Sequence, residues 1–312
     1  AMANMTTTST PTNRRRLAAL FNNPMTVKEL RSRMRGSRAF VVLSLYLVAL
    51  SGVIILVYWG YVSSMSMPFS VSGYTAGKGL FAAVLSVQVV LVTFIGPLFT
   101  AGAISGERDR QTYDLLRTTL LSANSLVLGK LISALGYILL LVLASIPLQS
   151  IAFLVGGLSL TELVLSQLLI LITAVTYAIY GLWCSVTMRT TLAATVATLA
   201  GTLFVTFGLP MLASMGLIVA GVTNIMSSPS AAVEIAMIYV GLVLASINLP
   251  ATFFISEAFL LDQNTLLGAT QYIQGQAVWL LSPWILFIIL HVLAAVFFYW
   301  HTVRRVRRIS DE

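Results

Sequence analysis

Few residues in this chain could carry out chemistry. Acidic and basic side chains occur close together mainly in one stretch, Gly106 to Lys130. This stretch, "GERDRQTYDLLRTTLLSANSLVLGK", holds seven charged side chains. No Ser-His-Asp set and no pair of catalytic carboxylates can be recognised elsewhere. His291 and His301 have no Asp, Glu or Cys at metal-ligand spacing. The sequence therefore predicts neither catalytic residues nor a metal centre.

A phosphate-binding loop is also missing from the sequence. The only Gly-Lys pairs, Gly77-Lys78 and Gly129-Lys130, have neither the earlier glycine nor the following Ser or Thr of that motif. We therefore expect no nucleotide or other cofactor on this chain. Any energy from ATP would have to arrive by contact with another protein.

Composition identifies the elements that must position these residues. Hydrophobic residues make up 58% of the 312 and charged residues only 9%, with a mean hydropathy of +0.94. A soluble domain is about a quarter charged. The sequence therefore predicts an all-α polytopic membrane protein. The net charge of +8 does not indicate nucleic-acid binding, because the basic residues lie at the ends of apolar runs.

Six runs are long enough to cross a bilayer, which takes roughly 20 apolar residues. The first run lacks a small-residue cleavage site and is read as a span that stays. We expect a disordered N-terminus (1–13), a cytoplasmic amphipathic interfacial helix (14–38), one transmembrane domain (39–303) and a basic tail (304–312). The predicted spans are 39–61, 79–104, 131–156, 163–187, 191–213 and 279–303.

The distribution of Lys and Arg predicts the orientation. Basic residues cluster at 14–38, 108–130, 189 and 304–308, and only Lys78 lies apart from them. The positive-inside rule then places both termini in the cytoplasm of a multi-pass protein of the cytoplasmic (inner) membrane. The apolar segment 231–261 is predicted to be a re-entrant or outer-face helical element, and the alternative is a protein of eight spans.

The charged stretch has the pattern of a helix, a turn and a second short helix. From Glu107 onward, Tyr113, Leu116 and Leu120 share one stripe, while Arg110, Asp114 and Arg117 share another. Ser122 is a candidate N-cap for the second helix, which ends at Gly129-Lys130. The alternative is a solvated loop that only anchors two spans.

These residues resemble the coupling-helix loop of the type-2 permeases of ABC transporters. The residues that match are Glu107, Thr112, Asp114, Leu116, Ser122, Gly129 and Lys130. Gln111 stands where that family usually has Gly, and Leu120 where Pro is common. The stretch "NNPMTVKELRSRMRGSRAF" is similar to the segment that precedes the first span in the same family.

The resemblance implies a six-span half-transporter that dimerises with a second permease copy or homologue. Two separate ATPase subunits would hold ATP and Mg, and the chain would export a hydrophobic or amphipathic substrate. The implied ATPase-docking residues are Glu107, Arg108, Asp109, Tyr113, Asp114, Leu116 and Arg117. Those of the interfacial helix are Lys28, Glu29, Arg31 and Arg35. The candidate transport pathway comprises Gln88, Phe94, Thr198, Thr202 and Phe207.

Several interpretations stay open at the level of sequence. Polar side chains within the spans, Gln88 and Asn248 among them, more often bond helix to helix than contact a substrate. An ATP-independent channel or carrier is the alternative function. An intramembrane enzyme is a weaker one, because Glu257, Asp262 and His291 would have to converge. The identity of the substrate, and whether the dimer is homomeric, also stay open.

Overall fold

The computed structural model describes residues 37–64, 73–111, 123–156, 158–222, 230–263 and 267–311. Helices dominate, with one small sheet between the last two of them. The long helices are α1 (Ser37–Ser64), α2 (Gly73–Ala101), α4 (Ala123–Val155), α5 (Leu160–Thr187) and α10 (Pro283–Asp311). A further long helix consists of α6 (Thr191–Leu203), a π-helical turn (Phe204–Gly208) and α7 (Leu209–Val222). The short helices are α3 (Ser105–Asp109), α8 (Ala231–Ala245) and α9 (Leu249–Gln263).

Within the described residues, six helices are long and apolar enough to cross a membrane. The protein is therefore a multi-pass membrane protein, as the composition predicts. The second span begins at Gly73, earlier than the predicted residue 79. The fifth continues beyond the predicted residue 213 to Val222, because the sequence stays apolar past the π-helical turn.

Helices α2 and α5 form the centre of the bundle. Helix α2 packs against α5, α4, α1 and α6, and α10 packs against α5. Backbones approach closely where α2 meets the turn after α4: a Cβ on Gly77 would overlap the carbonyl oxygen of Gly156. Gly156 itself has a φ of +105°, which favours glycine. The α4–α5 turn therefore packs directly on the start of α2.

The two ends of the bundle differ in charge. One end, here called the basic end, joins α3 to the start of α4, the α5–α6 turn and the C-terminal part of α10, where Val303 and Val306 pack against Ile104 and Leu182. The opposite end holds the starts of α2 and α5 and the last turns of α9, where Lys78 meets Glu162 and Glu257. Long apolar helices with charges confined to their ends match the lipid-spanning pattern.

Segment 231–261 is two helices and not one. Helices α8 and α9 have 15 residues each. At a rise of 1.5 Å per residue each extends only ~22 Å, less than the ~30 Å core of a bilayer. The chain turns at Ser246 and restarts at Leu249, one residue before Pro250, a position near the helix start that proline tolerates. Neither helix is long enough to span a bilayer alone.

The expectation of an all-α protein is wrong at residues 268–281. Strands β1 (Gly268–Ile273) and β2 (Gln276–Leu281) form an antiparallel hairpin. Its two-residue turn, Gln274-Gly275, has both φ angles positive, at 48° and 84°, as a tight hairpin requires. One face packs Ala269 and Leu280 onto α8 and α9. Consequently the last span begins at Pro283, and Trp279 belongs to β2 instead of to the predicted span 279–303.

Candidate functional site

Only the first part of the charged stretch lies within the described residues. Helix α3 is a short segment that ends at Asp109, and Arg110 and Gln111 form a turn closed by the bond from the Gln111 N–H to the Arg108 carbonyl (2.9 Å). Gln111 has a φ of 56°, outside the helical region. The helical pattern predicted from Glu107 onward is therefore interrupted by a turn at Arg110 and Gln111. Four predicted docking residues lie outside the described residues: Tyr113, Asp114, Leu116 and Arg117. The same holds for the four residues of the interfacial helix, Lys28, Glu29, Arg31 and Arg35.

The start of α3 is held by one side chain from α5. The hydroxyl oxygen of Ser185 accepts the backbone N–H groups of Ile104 (2.9 Å) and Ser105 (3.0 Å). The Ser105 hydroxyl donates to the Ala101 carbonyl (3.1 Å), so the Ser185 hydroxyl can donate to the Ser105 oxygen 3.2 Å away. All three residues are fully buried or nearly so. Ser185 thus satisfies two N–H groups that the break between α2 and α3 leaves without helical partners.

Arg108 and Asp109 bind the two ends of the α5–α6 turn. The Arg108 guanidinium donates to the carbonyls of Val186 (3.2 Å) and Met188 (3.4 Å), where α5 ends. The Asp109 carboxylate accepts the backbone N–H of Thr191 (3.0 Å) and also its hydroxyl. A cation at a helix C-terminus and an anion at a helix N-terminus both complement the helix dipole. The two side chains therefore tie α3 to α5 and α6 through groups of the matching charge.

Lys130, at the far end of the charged stretch, also reaches α3. Its ammonium donates to the Ala103 carbonyl (2.6 Å) and lies 3.5 Å from the carboxylate of Glu107. The Lys130 side chain is only 3% exposed. An ammonium so deeply buried needs such partners. The first and last charged residues of the stretch are therefore in contact, although 23 positions separate them.

We call Glu107, Arg108, Asp109, Lys130 and Ser185 the loop platform. Its side chains join the end of α2, the start of α4, the end of α5 and the start of α6. A displacement of α3 therefore acts on four helix ends together. The family resemblance implies that Arg108 and Asp109 dock an ATPase, and nothing in the sequence predicts their contacts with the α5–α6 turn.

The candidate pathway residues do not converge within the chain. Gln88 is fully buried in a closed ring of three amides: the Gln149 amide donates to Gln88 (2.6 Å), Gln88 to Gln167 (3.2 Å), and Gln167 to Gln149 (2.6 Å). Gln88 lies on α2, Gln149 on α4 and Gln167 on α5. Gln88 also donates to the hydroxyl of Ser145 (3.1 Å). Gln88 therefore bonds helix to helix, the alternative that the sequence favours.

The remaining pathway residues lie apart from that ring. Phe94 is half-buried on α2. Thr198 and Thr202 are buried, and their hydroxyls donate to backbone carbonyls of α6. Thr202 also lines a cavity of about 390 Å³ between α5, the π-helical turn and α10. Phe207 faces a different space, described next.

A larger groove of about 520 Å³ lies between α2, the π-helical turn and α9. Phenylalanine side chains from all three elements line it, together with Leu85, Val89 and Pro250. Its polar end is formed by Lys78 and Glu257, whose charged groups are 2.6 Å apart. The four phenylalanines are Phe81, Phe207, Phe253 and Phe254. Sequence reasoning identified Lys78 as isolated from the other basic residues, but not the carboxylates that it meets.

The wall of this groove depends on Asn248, whose side chain supplies hydrogen bonds that the π-helical turn lacks. Here the Leu209 N–H bonds to the Phe204 carbonyl, which leaves the Val205 carbonyl without its helical donor. The next residue is Pro210, which has no N–H to offer the Thr206 carbonyl. The Asn248 amide donates to both carbonyls, at 3.1 Å to Val205 and 2.6 Å to Thr206. The junction between α8 and α9 thus stabilises the irregular turn that carries Phe207.

Within the described part of the chain, no three His, Cys, Asp or Glu side chains cluster closely enough to hold a metal ion. No protein-family model and no curated protein matches the sequence.

Proposed function

We propose that this chain is the permease subunit of an ATP-binding cassette transporter, and that it exports a hydrophobic or amphipathic substrate across the cytoplasmic membrane. ATP and Mg would be held by two separate ATPase subunits, and a second permease copy or homologue would complete the complex. Both termini and the loop platform would face the cytoplasm, as the basic residues at that end favour. The chain itself would be no enzyme.

The observation that carries the proposal is the loop platform. A transport subunit that has no ATPase of its own needs a cytoplasmic element that contacts the ATPase subunit. This element must transmit the movement of the ATPase to several spans. Helix α3 is bound through side chains to the ends of α2, α4, α5 and α6. A loop that merely joined two spans would need no buried Lys130 and no Ser185 accepting two backbone N–H groups. The platform therefore supports a coupling role for the charged stretch, which supplies four of its five residues.

Two further details support the resemblance on which the partner assignment rests. Glu107 and Lys130, which begin and end the family-like pattern, lie 3.5 Å apart, so the stretch closes into one structural unit. Gln111 occupies the position at which the family usually has glycine, and its φ is 56°. This conformation is the one that favours glycine, although other residues adopt it at a cost. The local backbone is thus the kind that the family's usual residue would suit.

The test is site-specific cross-linking in living cells of the source organism. A photoreactive amino acid would replace Tyr113 in the charged stretch, and as a matched control Tyr61 near the end of α1 opposite the platform. We expect light to join position 113, but not position 61, to a protein with the nucleotide-binding motifs of a cassette ATPase. The purified pair should hydrolyse ATP, and the chain alone should not. Arg117→Ala should weaken the pairing only slightly, because rim charges contribute less than buried anchors.

Cross-linking of the same partners from both positions, or of no ATPase from position 113, would contradict the proposal. Substrate movement by the chain alone in vesicles without ATP would favour the channel or carrier alternative.

A further inference from the structure

We infer that the groove between α2, the π-helical turn and α9 is a binding site for a cationic amphiphile, with an apolar body along the groove and an ammonium group at its charged end. The inference deepens the proposed function, because it names the substrate class that the permease would take. It rests on that function only for the step from bound ligand to transported cargo.

The shape of the groove suits a long apolar body. Its lining follows α2 from Lys78 to Val90, which are twelve residues apart on one helix. At the helical rise this distance is ~18 Å. Apart from Lys78, Glu257 and Ser86, the lining side chains are apolar or glycine. The Ser86 hydroxyl is already engaged, since it donates to the carbonyl of Ala82 (2.7 Å). The body of a ligand would therefore meet apolar surface along this whole length.

The charged end of the groove has an excess of negative charge. The Lys78 ammonium lies 2.6 Å from the Glu257 carboxylate and 3.9 Å from the Glu162 carboxylate, so one cation serves two anions. Lys78 and Glu162 are largely buried, with side chains 15% and 14% exposed. The second carboxylate oxygen of Glu162 is buried and has no hydrogen-bond partner within the described structure. Glu162 is not among the residues that line the groove, but its charge lies next to Lys78, so a second cation at this end would neutralise the remaining negative charge.

The aromatic lining favours the same sign of ligand charge. Aromatic faces attract cations, and the interaction strengthens where water is excluded. The four phenylalanines come from α2, α9 and the π-helical turn, so three of the elements around the groove present aromatic surface to a bound ligand. An anionic headgroup would instead approach two carboxylates that share one lysine. Charge complementarity therefore selects a cationic amphiphile over an anionic one of the same length.

The experiment uses the full chain alone in lipid nanodiscs, without an ATPase. The probe is dodecylammonium with a diazirine at the far end of its chain, and the controls are the alcohol and the carboxylate of the same length. After irradiation, we expect the ammonium probe to label groove residues such as Val90 and Phe207 at least tenfold more than either control. Ala82→Trp should block this labelling by filling the groove. Val296→Trp, on an exposed face of α10, should leave it unchanged.

Variants of the charged end give effects of opposite sign, which misfolding cannot imitate. Glu257→Gln should reduce labelling about tenfold, which corresponds to about 1.4 kcal/mol. Lys78→Gln should increase it, because the negative charges of Glu257 and the nearby Glu162 are then no longer balanced by the lysine. Glu234→Gln, a half-buried carboxylate bound to Gln274 and not part of the groove, is the matched control and should change nothing.

Equal labelling by all three probes, or equal responses to Glu257→Gln and Glu234→Gln, would overturn the inference and leave an ordinary lipid-facing crevice. These outcomes are distinguishable from failure of the proposed function. If an ATPase cross-links at position 113 but the ammonium probe does not label the groove, the permease function is supported and the cationic substrate class is refuted. If the groove is labelled but no ATPase is found, the ligand-binding site is supported and the proposed transporter function is refuted.

Discussion

Ser185→Ala is the sharpest test of the loop platform. The substitution removes the oxygen that accepts the N–H groups of Ile104 and Ser105, both of which are buried. A buried donor left without a partner costs about 1–3 kcal/mol. Two such donors give about 2–6 kcal/mol, and water reaching the adjacent, partly exposed Gly106 would recover some of it. We therefore expect a loss of about 2–4 kcal/mol in the free energy of unfolding.

The matched control is Ser133→Ala on α4. Ser133 is as deeply buried as Ser185, but its hydroxyl has no hydrogen-bond partner within the described structure. Both substitutions delete one oxygen from a buried serine, so they differ only in the hydrogen bonds that are lost. We expect Ser133→Ala to be neutral or slightly stabilising, because it removes a polar group that gains nothing from its surroundings.

The chain supplies its own reporter for the assay. Cys184 is the only cysteine and is 1% exposed, so a thiol-reactive fluorogenic dye reports unfolding. A loss of that size should lower the unfolding temperature of Ser185→Ala by roughly 5–10 °C. Circular dichroism should give the same midpoint, which guards against a purely local effect on the neighbouring cysteine. If both variants unfold at the wild-type temperature, Ser185 does not hold the loop and the platform argument fails.

Three further outcomes are expected. A cysteine at Ser159 should react with an impermeant maleimide in intact cells, and one at Ser310 only after permeabilisation; the reverse pattern would refute the orientation drawn from the basic residues. Tyr113→Ala combined with Leu116→Ala should weaken ATPase binding by about 2–4 kcal/mol, measured by titration of the purified subunits. Unchanged affinity would show that the stretch is an ordinary linker. Asn248→Leu should leave two carbonyls of the π-helical turn unpaired and destabilise the protein by about 2–4 kcal/mol in the same dye assay, and wild-type stability would contradict that role.

The spans could be predicted from sequence because a bilayer requires a helix of a certain length with apolar side chains. Both requirements can be recognised in one continuous run of residues. The hairpin could not be separated from the last span by the same rule, since β2 is almost as apolar as the helix that follows it. Its one local signal was the Gln274-Gly275 pair, since glycine suits the second position of a two-residue hairpin turn. Apolar length alone therefore extended the predicted span four residues too far, from Pro283 back to Trp279.

The loop platform was beyond sequence reasoning for a different reason. Asp109 binds Thr191, 82 positions away, and its partners there are a backbone N–H and a hydroxyl instead of a charged residue. No charge pattern predicts such a contact, because every helix start offers free N–H groups. The same applies to Arg108, which binds carbonyls at the end of α5. The types of these residues were visible in the sequence, but their partners depend on which helix ends meet at the basic end.

The ring of three glutamines has a mechanical consequence. Each amide in it both donates and accepts, and two of the three bonds are 2.6 Å long. Sliding one of these helices along a neighbour by one turn, ~5.4 Å, would break its bonds in the ring, with no water in the bilayer core to replace them. The closed ring therefore favours movement of α2, α4 and α5 together as one block. A conformational change that begins at the basic end would then move this block relative to the remaining helices.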